Sequence, residues 1–110
     1  MKVQWPYQKG PARMRVSKLD GDTIQEQLRG LSEWSIQDGA LTKTFAFADF
    51  VQAMQFVNRL ADAAEAAQHH PDIDIRYSKV TIALTTHDSG GITKNDFALA
   101  HKAEAIAGGS

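Results

Sequence analysis

A long helical repeat of apolar residues is the feature that most constrains the fold of this chain. Apolar side chains recur at helical spacing from Phe50 to about Gln68, and Asp49 before them has the side chain of a helix N-cap. Pro71 stops the repeat soon afterwards, because proline cannot continue a helix. The pattern predicts a helix of about five turns at 3.6 residues per turn. Its apolar face must be covered by another layer.

The segments on both sides of this helix alternate between apolar and polar residues, which is typical of strands. Before it, residues 34–37 and 41–47 alternate, and Asp38-Gly39 between them favours a two-residue hairpin turn. After it, one alternating set runs from Ile73 to Tyr77 and a second begins at Val80. The change of parity between the two sets fits either a tight turn or a bulge.

Two shorter helices are predicted near the ends of the chain. Apolar residues at helical spacing place one within residues 17–31, and Thr93 with Asp96 forms the capping box of another over residues 94–106. The order α-β-β-α-β-β-α predicts an α+β fold of two layers. Its four-stranded antiparallel sheet carries the three helices on one face.

The length of 110 residues suits one domain. We predict a flexible basic N-terminal arm over residues 1–16 and a single domain over residues 17–107. Basic residues precede the first acid, Asp20, and Trp5 and Tyr7 lie among them. Such a mixture can contact a polyanion, but a solvated extension is the favoured interpretation.

The composition excludes several functional classes. The chain has no cysteine, which rules out disulfides, thiolate zinc sites and a cysteine nucleophile. No apolar run reaches the 18 residues of a membrane span, and the net charge of −1 provides no general attraction to nucleic acid or anionic lipid. We therefore expect a cytoplasmic protein with no membrane contact and no direct nucleic-acid partner.

Three of the four histidines follow the long helix, at predicted ends of elements. His69 and His70 lie between the helix and Pro71, and His87 lies at the end of the strand that begins near residue 79. His101, on the last helix, is interpreted as a surface residue. Imidazole both donates and accepts protons near pH 7, so two histidines flanking a small substrate could transfer protons to and from it.

A metal site is the less favoured alternative. Helical zinc ligands are usually spaced i, i+4, whereas His69 and His70 are neighbours that would diverge by about 100° on a helix. His87 could join one of them, with Glu65 or a nearby aspartate as a carboxylate ligand. The chain shows no serine-nucleophile motif, phosphate loop or dinucleotide fingerprint.

The spacing of these residues resembles the signature of the pterin-4a-carbinolamine dehydratase family. The pattern consists of Glu65, His69-His70-Pro71, Tyr77, His87 and Asp96, with every position filled. The resemblance extends over about residues 19–107, and includes Trp34, residues 45–50, Gly91-Ile92-Thr93 and residues 96–100. Some relatives carry arginine where this chain has Asn95.

The resemblance implies a hydro-lyase that dehydrates 4a-hydroxytetrahydropterin to quinonoid dihydropterin, in the recycling of tetrahydrobiopterin. The pterin is the substrate, and no metal or organic cofactor is implied. By similarity His69 and His87 are the acid-base pair, and His70 has a catalytic role and helps to bind the pterin. With His70, the residues implied to form the substrate-binding site are Pro71, Glu65 and Asp96. Pro71 shapes the turn, and Asp96 anchors or orients the site. Glu65 could hydrogen-bond to His69, its i+4 neighbour, or be solvated.

The resemblance also implies partners and leaves other roles open. We expect a homodimer or homotetramer, and an indirect link to an aromatic amino acid hydroxylase. One alternative is a family member that uses its pterin site in another pathway, such as molybdopterin metabolism. Another is a non-catalytic dimerisation or coactivator module. Tyr77 and Trp34 could stack on the pterin, although core positions are favoured for both.

Overall fold

The computed structural model describes residues 2–3 and 16–108. It places three helices and four longer strands in the predicted order, with one short strand before them. The helices are α1 (Gly21–Leu28), α2 (Phe50–Ala67) and α3 (Lys94–Ala107). The strands are β1 (Lys2–Val3), β2 (Ser35–Gln37), β3 (Ala40–Ala46), β4 (Asp72–Arg76) and β5 (Lys79–Leu84), and a 3₁₀ turn (His87–Ser89) precedes α3.

The sheet is antiparallel throughout, in the order β1-β4-β5-β3-β2. The predicted α+β class and element order are confirmed, and β1 adds a fifth strand outside β4. Lys2 lies opposite Asp74, and Val3 opposite Ile73. Both strand residues fall within the predicted N-terminal arm. Residues 4–15 of that arm lie outside the described residues, so its flexibility stays a prediction.

Two tight turns set the register of the strands. Asp38 and Gly39 have φ angles of 51° and 78°, so the predicted hairpin turn is present between β2 and β3. Between β4 and β5 the turn is Tyr77-Ser78, because Arg76 pairs directly with Lys79. A turn therefore explains the change of parity. The prediction that Tyr77 continues the strand is wrong: its φ of 50° takes it out of the sheet, and it is 70% exposed.

One hydrophobic core lies between the sheet and the helices. The two halves of the sheet contribute alternate residues such as Leu41, Phe45 and Ile82, while α2 contributes Phe56 and Leu60. Residues of α1 pack at the margin of this cluster. Burying such side chains is the main source of the stability of a fold of this size.

The caps predicted for the longer helices are present. Asp49 accepts a hydrogen bond from the Gln52 N–H at 2.8 Å and begins α2. Thr93 and Asp96 form the predicted capping box at the start of α3. These hydrogen bonds define the beginning of α3.

A polar cluster connects the other half of α3 to the sheet. The Glu104 carboxylate accepts hydrogen bonds from Trp34 Nε1 at 2.9 Å and from Lys43 Nζ at 2.5 Å. Trp34 is buried, and the Lys43 ammonium lies 4.6 Å from the centre of the Phe45 ring. These contacts fix α3 against β3. Trp34 is therefore a core residue, as favoured from the sequence.

Within the described residues, no helix combines the length and the apolar character needed to cross a bilayer.

Candidate active site

The end of α2 determines where the adjacent histidines lie. Gln68 adopts a left-handed conformation, with φ 50° and ψ 41°. Its N–H donates to the Glu65 carbonyl at 3.1 Å, and the His69 N–H donates to the Ala64 carbonyl at 3.0 Å. This pair of bonds is a Schellman motif, which reverses the chain at a helix terminus. His69 and His70 therefore leave the helix before the buried Pro71 leads into β4.

His69 is held by the most deeply buried carboxylate of the site. Its Nε2 atom hydrogen-bonds to Oδ1 of Asp96. The His69 side chain is only 13% exposed and Asp96 is fully buried. The interaction joins the residue after α2 to the first turn of α3, and it leaves Nδ1 of His69 as the second ring nitrogen.

Asp96 is satisfied on its other oxygen as well. Oδ2 accepts a hydrogen bond from the Thr93 N–H at 2.8 Å and another from the Thr86 hydroxyl at 2.9 Å. The hydroxyls of Thr86 and Thr93 lie 2.8 Å apart. A buried carboxylate is stable only when its oxygens are hydrogen-bonded, and the N-terminus of α3 also favours a negative charge. Asp96 is therefore a fixed anionic group against one side of His69.

His70 has a different carboxylate partner. Its Nε2 atom lies 2.7 Å from Oε2 of Glu65, which is on the last turn of α2. His70 is 10% exposed and Glu65 69% exposed. Of the two alternatives for Glu65, the contact with His69 is wrong, because the left-handed Gln68 breaks the helical geometry that an i, i+4 contact requires. Glu65 instead reaches the next histidine.

His87 begins the 3₁₀ turn and is exposed. The loop that carries it is closed by paired backbone bonds between Thr86 and Gly91, at 3.0 and 3.3 Å. We name the hydrogen-bonded group of His69, Asp96, Thr86 and Thr93 the His69 network. His87 directly follows Thr86, a residue of this network. Among the described residues, the His87 imidazole makes no hydrogen bond or ion pair. The structure therefore brings His69 and His70 to carboxylate partners and leaves the His87 ring facing solvent.

A cavity of about 350 Å³ opens between α2 and α3 beside His69. Alanines of both helices and Leu99 form its apolar surface. Asn95, Lys102 and His69 supply its polar side chains. A volume in this range and apolar walls with few polar groups are typical of small-molecule sites.

Within the parts of the chain that the structure describes, no group of three or more His, Asp and Glu side chains could hold a metal ion. The carboxylates near His69 and His70 form separate pairs with them. The arrangement suits proton transfer, because the imidazoles of His69 and His70 each have one nitrogen oriented by a carboxylate.

Sequence reasoning identified Asp96 and missed two residues that surround it. Thr86 supplies a hydroxyl to Asp96, and Gln68 sets the turn that separates the two histidines. The available signal for Thr86 was a hydroxyl residue at a strand end directly before His87. Tyr77 lies in the turn at the end of β4 away from Pro71, so β4 separates it in the chain from the adjacent histidines.

A comparison with protein families matches residues 17–106 to the family described as pterin 4 alpha carbinolamine dehydratase. The matched segment contains the two histidine–carboxylate pairs and the loop of His87.

This chain belongs to the pterin-4a-carbinolamine dehydratase family.

Relatives of known sequence agree with this family assignment. A protein of Herpetosiphon aurantiacus, provisionally named as a pterin-4-alpha-carbinolamine dehydratase, is 54% identical over 83 residues, which are 76% of this chain and 86% of the relative. A protein of Acidobacterium capsulatum with the same provisional name is 48% identical over 91 residues, covering 83% of this chain and 99% of the relative.

Solved structures of other members show the same fold. A transcriptional coactivator/pterin dehydratase from Brucella melitensis has a TM-score of 0.80 and 36% identity, over 83% of this chain and 99% of that one. A pterin dehydratase-like protein identified as a RuBisCO assembly factor of the alpha-carboxysome has a TM-score of 0.61 and 30% identity, over 73% and 95%. The family thus includes a member described by an assembly role.

Proposed function

We propose that this protein is a 4a-hydroxytetrahydrobiopterin dehydratase, which converts pterin-4a-carbinolamine to quinonoid dihydropterin and water. Family membership supports the pterin substrate class. The observation that carries the proposal is the buried pair of His69 and Asp96 beside an apolar cavity. A histidine oriented by a buried carboxylate is suited to general acid-base work.

The reaction requires two proton transfers and no redox step. The bond between C4a and its hydroxyl oxygen breaks, and that oxygen leaves as water with a proton from an acid. The neighbouring ring nitrogen gives its proton to a base, and the electron pair of that N–H bond forms the new C=N bond to C4a. One imidazolium and one imidazole provide both functions, so no metal or organic cofactor is required by this scheme.

His69 is the candidate base. Its Nε2 atom is engaged by Asp96, so the electron pair that accepts a proton lies on Nδ1. Asp96 then stabilises the imidazolium that forms, because a fixed charge in a buried setting interacts strongly with a neighbouring charge. Thr86 and the Thr93 N–H keep the carboxylate in place during the transfer.

His87 is the candidate acid, and His70 is the candidate binding residue. The His87 ring is exposed and can approach the leaving hydroxyl, which must exit to water. His70 is nearly buried and oriented by Glu65, an arrangement that suits a hydrogen bond to a polar edge of the pterin. Pro71 is buried and holds the backbone that presents both neighbouring histidines.

Stopped-flow dehydration of 4a-hydroxytetrahydropterin tests this function. We expect wild-type protein to exceed the buffer rate, and His69→Ala and His87→Ala each to lower kcat by about 10²–10⁴-fold. His101→Ala is the matched control, since this exposed histidine of α3 lies outside both pairs, and it should retain the wild-type rate. A wild-type rate equal to that of buffer would refute the proposal.

A protein-binding role is the second candidate. Near the start of α2, Phe50 is 44% exposed and Val51 62% exposed, although both are apolar. Exposed apolar side chains of this kind often mark protein contacts. The coactivator and assembly roles described for the two structural neighbours are consistent with such contacts. We propose self-association as a dimer or tetramer, which analytical ultracentrifugation tests directly; a stable monomer at micromolar concentration would contradict it.

A further inference from the structure

The segment before α1 lies along the loop that carries His87. The Leu19 N–H donates to the Ile92 carbonyl at 2.9 Å, and the Ser89 hydroxyl donates to the Val16 carbonyl. We name residues 16–19 the strap. The strap contacts the loop at both sides of its two glycines, Gly90 and Gly91.

Gly91 is where the strap approaches most closely. The Lys18 side chain crosses its Cα so tightly that an added Cβ would lie 2.9 Å from Cε, 3.1 Å from Cδ and 3.2 Å from Cγ. Gly90, in contrast, has a φ of 75° and open space around it. Gly90 therefore provides the left-handed conformation that the turn requires, whereas Gly91 leaves room for the Lys18 side chain.

The loop connects the strap to the His69 network. Gly91 pairs with Thr86 through two backbone hydrogen bonds, and the Thr86 hydroxyl contacts Asp96. The Ser89 N–H also donates to the Thr86 carbonyl at 3.0 Å. Residues 87–90 are thus held between the strap and the beginning of α3.

His87 depends on this backbone for its placement. Among the described residues its ring makes no hydrogen bond that would orient it, in contrast to His69 and His70. We propose that the strap is a positioning element of the reaction: Ser89 and Lys18 hold the loop so that His87 meets the leaving hydroxyl. This inference rests on the proposed function.

We expect loss of the strap contacts to change kcat more than KM. The contact that we assign to binding, between His70 and Glu65, involves no residue of the strap. Displacing a proton donor by about 1 Å can lower a rate by as much as about 10²-fold. We therefore expect strap variants to lose between about 5- and 100-fold in kcat.

The first test removes the side-chain bond between loop and strap. Ser89→Ala should lower kcat within that range with KM changed less than about twofold, whereas Ser89→Thr keeps a hydroxyl and should recover most of the rate. The limb of the kcat–pH profile that disappears in His87→Ala should also be altered in Ser89→Ala. A purely structural serine would leave that limb in place.

The second test uses the contact between Gly91 and Lys18. Gly91→Ala should lower kcat, and the same change in a Lys18→Ala background should have little further effect, because the methylenes that the new Cβ meets are gone. Gly21→Ala is the control, since nothing lies within 4 Å of a Cβ added there. Equal losses from Gly91→Ala in both backgrounds would overturn the role of Lys18.

The activity of the wild type separates failure of this inference from failure of the proposed function, and amide exchange reports the expected loosening of the loop. Ser89→Ala should speed exchange at residues 87–90 relative to the rest of the chain. If wild type is active and Ser89→Ala keeps the full kcat, the inference is overturned whatever the exchange rates are. An inactive wild type would instead refute the proposed function, and the role of the strap in the reaction with it.

Discussion

Glu65 contacts His70 and not His69, although His69 is its i+4 neighbour in the chain. Oε2 of Glu65 lies 2.7 Å from Nε2 of His70. The left-handed Gln68, between these two residues in the chain, redirects the backbone. The adjacent histidines are therefore held by carboxylates of opposite character. The partner of His70 is exposed and that of His69 is buried.

Replacing Glu65 should affect binding more than chemistry. Because Glu65 is largely exposed, Glu65→Ala should reduce the free energy of unfolding by less than about 1 kcal/mol. Loss of its bond to His70 should raise KM for the pterin several-fold with kcat little changed. Steady-state kinetics test this, with the exposed Asp62→Ala on the same helix as control. A fall in kcat with an unchanged KM would assign His70 to the chemical step instead.

Asp96→Asn should damage both rate and stability. The amide is neutral, and its NH₂ group is a donor where the wild-type carboxylate only accepts hydrogen bonds. We expect kcat to fall by about 10²–10⁴-fold and the free energy of unfolding to fall by about 1–3 kcal/mol. Urea denaturation and stopped-flow assays measure the two effects. Asp62→Asn, at an exposed acid inside α2, should change neither. Retention of activity would show that His69 needs no anionic partner.

Thr86→Val tests whether the hydrogen bond from the Thr86 hydroxyl stabilises Asp96, without changing the charge of that residue. The substitution keeps the shape and removes the hydroxyl that bonds to Oδ2. We expect a loss of about 1–3 kcal/mol in unfolding free energy, since a buried carboxylate loses a donor. Thr81→Val is the comparison: its hydroxyl pairs with Thr44 on the exposed surface, and its loss should matter less. Equal losses at the two sites would contradict the importance of burial.

Gln68→Gly should stabilise the protein. Glycine adopts a left-handed conformation without the steric penalty of a Cβ, so we expect a gain of up to about 1 kcal/mol by thermal or chemical denaturation. Gln55→Gly, at an exposed position inside α2, should instead destabilise by about 1 kcal/mol. If Gln68→Gly is as harmful as Gln55→Gly, the Schellman geometry is not what fixes the end of α2.

Asp20 provides a pH-dependent contribution at the start of α1. Hydrogen bonds from the backbone N–H and then the side chain of Thr23 lower the pKa of Asp20 below its ordinary value of 3.8. A lowered folded-state pKa means that the cap contributes fully above the unfolded value and is lost as pH falls through the folded one. An NMR titration of the Thr23 amide should report this midpoint below 3.8.

Asp20→Ser is the control for that titration. Serine can cap the helix but does not titrate, so the pH-dependent change at the Thr23 amide should disappear. A wild-type midpoint above 3.8 would contradict the capping bond as its cause.

The sequence predicted the elements whose signals are local. The apolar repeat of α2, the Asp38-Gly39 turn and the Thr93–Asp96 capping box each depend on residues a few positions apart, and the structure contains all three. The capping box matters most, because it places Asp96 inside the first turn of α3. The family resemblance, also confirmed, depended on spacings over a longer stretch.

The remaining features depend on backbone geometry that residue types do not specify. Glutamine and tyrosine rarely adopt positive φ, so neither the turn at Gln68 nor the one at Tyr77 was signalled by its residue. The turn at Gln68 determines that Glu65 contacts His70, and the turn at Tyr77 explains why Tyr77 is exposed. Strand β1 has only two residues, which is too short for an alternating pattern to be recognised.

The double use of Asp96 affects how other members of the family should be interpreted. One of its oxygens accepts the capping bond from the Thr93 N–H, and the other contacts His69. An acid at this position can cap the last helix whether or not a relative is catalytic. An aspartate at this position is therefore weak grounds for assigning an activity to a newly sequenced gene. A histidine at the position of His69 is stronger grounds, because its imidazole takes no part in capping either helix.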